Sequence, residues 1–93
     1  MERKNDMNII KQNIIDNICY TELVYERINK KMNIKFSKRR IEEFIFNTLQ
    51  ETDQSFFNKN GKNFYITNKK NNIRITVNSY AFRVITVDKI EKK

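Results

Sequence analysis

The hydrophobic residues of this chain change period once, at "ETDQS" (residues 51–55), and that change restricts the fold more than any other feature. Upstream the spacing is helical. In "KRRIEEFIFNTLQE", Ile41, Phe44, Ile45 and Leu49 share one helical face, and Ser37 before it can accept from a free N–H of the first turn, which predicts a helix over 38–51. Val24, Ile28 and Met32 mark another over about 22–33. Thr21 is its cap, with Glu22 and Glu26 toward the positive end of the helix dipole and Lys30 and Lys31 toward the negative end. Ile10, Ile14 and Ile18 predict a first helix near 7–18, with Asp6 as its cap.

Downstream the pattern alternates. Asn60-Gly61 tolerates the positive φ of a type I′ turn and joins "SFFNK" to "KNFYIT". "NKKNN" is a polar turn, "IRITVN" alternates Ile73, Ile75 and Val77 against Arg74 and Thr76, and "AFRVITV" supplies a last strand after an Asn78-Ser79 turn. Three helices followed by three or four antiparallel strands make an α+β fold, the helix stripes packing on one face of a meander. Without a repeat or linker, residues 1–93 are expected to form one domain, with a helical half at about 7–51 and a β half at about 55–88. A chain of this length buries roughly 60–65% of its unfolded surface, a thin core.

Several chemistries are excluded by composition. With no His, one Cys and one Gly, the chain cannot assemble a His-based triad, a zinc cluster or a glycine-rich phosphate loop, and no cofactor or metal is expected. Cys19, the sole cysteine, reads as a small core residue in a reducing cytoplasm. "MERKNDMNIIKQNII" lacks the apolar region of a signal peptide, and no apolar run approaches the ~20 residues that span a bilayer, so a cytoplasmic protein without a membrane partner is expected.

Charge is what remains to suggest a partner. The net charge is +8, divided unevenly: residues 1–52 hold ten Lys/Arg against eight Asp/Glu, and residues 53–93 nine against three. Asn, Ile and Lys dominate, as an AT-rich coding sequence also produces, so placement matters more than the count. Between Phe57 and Val87 stand six cations and no acid. If Phe64, Ile66, Ile73, Ile75 and Val77 face the helices, then Asn63, Tyr65, Thr67, Arg74 and Thr76 face out, and with Phe82 and Val84 inward Arg83 joins them. A ring among cations on an antiparallel sheet suits a single-stranded nucleic acid, RNA before DNA. The expected contact set is Lys59, Lys62, Tyr65, Lys69, Lys70, Arg74 and Arg83, with Lys38, Arg39 and Arg40 at the start of the third helix able to grip phosphates. That alternation leaves Ile85 and Val87 outside, which requires either a second subunit over the face, as in a homodimer, or a bulged last strand with the Arg83 assignment reversed.

Three other readings follow from the same residues. The helical pair and the "ITNKKNNIRITV" hairpin have the order of a winged helix, although Glu42, Glu43 and Glu51 on the recognition helix would oppose a negative groove. A metal-free ribonuclease toxin would use Lys62, Tyr65, Arg74, Tyr80 and Arg83 to position a 2′-hydroxyl and stabilise the phosphorane. A regulator or a phage-encoded inhibitor would instead bind an acidic protein surface or a host ribonucleoprotein. The stretches "NICYTELVYERINKKMNIKFSKRRIEEFIF" and "GKNFYITNKKNNIRITVNSYAFRVITVDKI" resemble a family of small bacterial proteins known as domain of unknown function 3781, from about Asn17 to Ile90. The resemblance implies a compact intracellular bacterial protein, with carriage on mobile elements as one setting. It supplies no activity and no site residues.

Overall fold

The computed structural model describes residues 2–90, with side chains from residue 10 onward. Its elements in chain order are α1 (Glu2–Asn17), α2 (Glu22–Met32), α3 (Lys38–Glu51), a 3₁₀ turn (Gln54–Phe56), β1 (Phe57–Asn60), β2 (Asn63–Asn68), β3 (Ile73–Asn78) and β4 (Val84–Lys89). The strands pair antiparallel in the order β1-β2-β3-β4. This is the α+β arrangement that the single change of period predicts.

Helix ends follow local chemistry. Ser37 Oγ accepts from Arg40 N at 3.2 Å, closing the first turn of α3. Thr21 holds the extended cap conformation before α2 but makes no side-chain bond. Asn33 ends α2 in the left-handed region (φ 59°), and Ile34 N donates to Asn29 O at 3.0 Å, a Schellman ending with Asn in place of Gly. Asn29 then bonds both backbone groups of Phe36, each at 3.0 Å, which fixes the connection to α3. α1 starts earlier than its isoleucines indicate, because no Gly or Pro interrupts Glu2–Asp6. Asp6, expected as its cap, is inside the helix, and its side chain lies outside the described residues.

The sheet buries one face. Ile66, Ile75 and Val87 form one inward row and Phe64, Val77 and Val84 the next, and they close against Ile14, Val24, Ile28, Ile41, Ile45 and Leu49 from the three helices. Val84 and Val87 are three residues apart yet both buried, because the pairing of β3 with β4 shifts after Thr76. Thr76 faces Thr86 and Val77 faces Val84, which leaves Ile85 as the extra residue of a β-bulge. The difficulty posed by Ile85 and Val87 is therefore resolved by a bulge within the chain, without a second subunit.

Two expectations about local structure change. The loop between β1 and β2 is Gly61-Lys62, since Asn60 pairs with Asn63. Only Gly61 has positive φ there (65°), which excludes type I′ and fits type II′, with glycine first. Cys19 is exposed and not a core residue. It pairs with Arg83 at the edge of the sheet: Cys19 N donates to Phe82 O and Val84 N to Cys19 O, each at 2.9 Å.

Polar contacts join the helices to one end of the sheet. Lys11 Nζ donates to Gln50 O at 3.0 Å and Thr52 O at 2.8 Å, a cation on the carbonyls that end α3. Asn68, 4% exposed at the end of β2, donates to Thr52 Oγ1 at 2.8 Å and accepts from Asn71 N at 2.8 Å, so the β2–β3 turn is anchored to α3. No helix among the described residues is long and apolar enough to cross a membrane. Asn68→Ala strips partners from Asn71 N and Thr52 Oγ1 and should lower stability by about 1–3 kcal/mol. Urea unfolding followed by circular dichroism measures it, as a lower midpoint at unchanged slope.

Candidate nucleic-acid interface

Because the helices pack on one face, the other presents the alternate residues of each strand. Asn58, Tyr65, Thr76 and Thr86 make one cross-strand row, and Thr67, Arg74 and Asp88 the next. Tyr65 and Arg74 are diagonal neighbours, and the Arg74 guanidinium carbon lies 5.9 Å from the Tyr65 ring centroid, within cation–π range. Asp88, opposite Arg74, is bound by Lys31 of α2 at 2.8 Å. Among the described residues no carboxylate pairs with Arg74. Thr76, 5% exposed, lies between Tyr65 and Thr86 in the first of these rows, and Thr86 Oγ1 has no hydrogen-bond partner among the described residues.

The other expected contact residues separate in space. Lys59 is exposed, but it pairs with Phe64 and so belongs to the row of the helix-packed face, at the open edge of β1. Lys62 lies in the β1–β2 loop, where its carbonyl accepts from Ser79 N at 2.8 Å. This brings it to the same end of the sheet as Tyr80, which is 75% exposed in the β3–β4 connection. Lys69 and Lys70 are at the opposite end. Lys70 Nζ is 3.4 Å from Glu51, and Lys69 lies over the Phe56 ring at 5.1 Å. Glu51 comes from α3, so counting acids within the β half alone misses it.

The cations that open α3 are held locally. Lys38 pairs with Glu22 at 2.6 Å and lies over the Tyr25 ring at 5.4 Å. Arg39 pairs with Glu43 at 3.5 Å, and Arg40 sits 4.5 Å from the Phe36 ring centroid. Glu42 accepts instead from the Tyr25 hydroxyl at 2.6 Å. The hairpin expected as a wing is the central pair of the sheet, flanked by β1 and β4, with its turn anchored on α3. That arrangement removes the winged-helix reading.

Arg83 is displaced from the expected face. Its backbone pairs with Cys19 at the chain's entry to α2, and it lines a groove with Thr21, Leu23, Val24 and Arg27. Asn78 N donates to Arg83 O at 2.8 Å. Asn78 is four residues from Arg74 along β3, which puts the two arginine backbones roughly 14 Å apart at ~3.4 Å per residue. Lys62, Tyr80 and Arg83 therefore cluster at one end, with Tyr65 and Arg74 farther along the sheet, so the five residues of the ribonuclease reading do not surround one point. Sequence reasoning missed Leu23 and Arg27. The available signal was their i, i+4 spacing beside, and outside, the Val24–Ile28–Met32 stripe.

The chain belongs to the family described as protein of unknown function (DUF3781), whose profile matches residues 12–88. No curated protein and no solved structure matches it.

The Tyr25–Glu42 bond can be read by titration. Burial first, then the hydrogen bond to Glu42 and its charge, push the Tyr25 hydroxyl up to about 12 from 10.0. Tyr20, stacked on Tyr25 at 5.6 Å between centroids, is raised as well, chiefly by burial. Both hold their protons in the fold beyond the pH at which an unfolded tyrosine ionises. The contribution of Tyr25 is thus complete below pH 10 and is lost as pH rises toward 12, and that of Tyr20 persists to higher pH. Ultraviolet titration of the four tyrosines should show Tyr25 ionising near 12, and Glu42→Gln should return it part of the way toward 10.

Proposed function

We propose that this DUF3781 chain binds single-stranded RNA, mainly through base stacking and backbone charge, on the outer face of its sheet. The observation that carries this reading is the Tyr65–Arg74 pair. An aromatic ring and a guanidinium lie 5.9 Å apart on the face opposite the helices, and Arg74 has no carboxylate partner among the described residues. A ring on an antiparallel sheet can stack an unpaired base, while the guanidinium stacks beside it or contacts phosphate. Asn58, Asn63 and Thr67 surround the pair with neutral donors and acceptors, which tolerate many bases. Lys62 at one end of the sheet extends the cationic path, and the net charge of +8 favours a polyanion over long range.

The reading narrows the contact set to Tyr65, Arg74 and Lys62. Lys38, Arg39 and Lys70 have carboxylate partners, and Lys59 is on the other face. A flat face without a protruding helix suits single strands better than the major groove of a duplex.

Fluorescence anisotropy with a labelled uridine-rich RNA tests the proposal. Kd should fall below ~10 μM at low salt and weaken as salt rises. Tyr65→Ala and Arg74→Ala should each weaken binding about tenfold, whereas Tyr65→Phe retains most of it, since stacking supplies ~1–3 kcal/mol per base. Absence of binding in that range, or indifference to both alanine variants, overturns the reading.

A further inference from the structure

We infer that the groove between α2 and the start of β4 is a second, independent docking site, for a protein segment carrying a carboxylate beside an aliphatic side chain. The groove has a volume of about 220 Å³ and is lined by Thr21, Leu23, Val24, Arg27, Arg83 and Ile85, with Val84 at its base. Leu23 is 75% exposed although it is a large apolar residue on the groove side of α2. The first turn of a helix beside a strand is an ordinary place for such a residue to be covered, and nothing among the described residues covers it.

Charge complementarity selects the occupant. Arg27 and Arg83 line the same groove from α2 and from the sheet, and its lining contains no acid among the described residues. Of the carboxylates on the flanking elements, Glu22 is held by Lys38 at 2.6 Å and Asp88 by Lys31 at 2.8 Å, and Glu26 of α2 is not among the lining residues. Two guanidiniums suit one carboxylate or phosphate, which Arg binds in bidentate fashion. The apolar wall of Leu23, Val24, Val84 and Ile85 separates those two ligands, because it offers a nucleic-acid backbone nothing and offers an aliphatic side chain a place to leave water. At about 220 Å³ the groove is below the ~300–1,000 Å³ usual for small-molecule sites, a size fit for one side chain and its neighbouring carboxylate.

One end of the groove is pinned by backbone hydrogen bonds. Cys19 bonds Phe82 O and Val84 N at 2.9 Å each, so the entry to α2 and the start of β4 are held together before any partner arrives. The sheet face of the RNA proposal shares no residue with it.

Selection from a random-peptide library against the intact chain tests the inference. Enriched peptides should place Asp or Glu next to Leu, Ile or Met. Arg27→Gln and Leu23→Ser, both surface changes, should each weaken the best peptide at least tenfold, while Tyr65→Ala leaves it unchanged. No acidic-aliphatic enrichment, or peptides indifferent to both groove variants, overturns the site. So does a loss of RNA binding in Arg27→Gln equal to that in Arg74→Ala, because the groove would then belong to the nucleic-acid surface.

Discussion

The last strand has to bury two valines that strict alternation would send to opposite faces, and the rest of the sheet is arranged around that requirement. Fully burying a valine is worth about 1.5–3 kcal/mol, so leaving either Val84 or Val87 in water would be a large loss for a domain whose whole stability is of order 5–15 kcal/mol. One extra residue, Ile85, solves it. Before the bulge β4 continues the row of Phe64 and Val77, and after it the row of Ile66 and Ile75. Thr86 is thereby left on the outer face beside Thr76, which keeps that face polar around Tyr65 and Arg74.

The sheet has two edges, and each is occupied differently. At β1, Lys59 puts a charge on the helix-side face of the open edge, a placement that discourages another strand from adding there. At β4, the chain itself covers the beginning of the edge through Cys19, and Lys31 ties α2 to Asp88 farther along. The same coverage makes the groove that holds Arg27 and Arg83. Positive charge is thus divided between a flat face with an aromatic ring and a groove with an apolar wall, two environments that suit different ligands. A count of lysines and arginines along the chain cannot separate them.

How much of this was legible depended on whether the cause was local. Three helices and the order of four strands follow from hydrophobic period, and α3 matches its predicted limits because Ser37 caps it and the pattern stops at Glu51. The inward set Phe64, Ile66, Ile73, Ile75 and Val77 follows from alternation. The bulge was legible only as a conflict, since alternation cannot bury both Val84 and Val87, and choosing between a bulge and a second subunit needs the pairing itself. The β1–β2 loop was displaced by one residue because Asn60 and Gly61 both tolerate positive φ, and only the register shows which positions form the loop. The shared outer face of Tyr65 and Arg74 was legible because diagonal neighbours on one face are a local consequence of a hairpin. Arg83 and Cys19 were misplaced for the opposite reason, since Cys19 meets Arg83 across the whole fold, and the pairing of Lys70 in its expected turn went unseen because Glu51 reaches it across 19 residues of chain.

The bulge is the claim on which the outer face and the inner core both depend. Methyl-directed nuclear Overhauser spectroscopy on the labelled chain tests it directly. The account predicts that Val84 and Val87 both show contacts to helix methyls from the set Val24, Ile28, Ile41 and Ile45, and that Thr86 shows contacts to Thr76. Contacts from either valine to the Tyr65 ring or the Arg74 side chain would mean that β4 alternates without the extra residue, and would contradict the account.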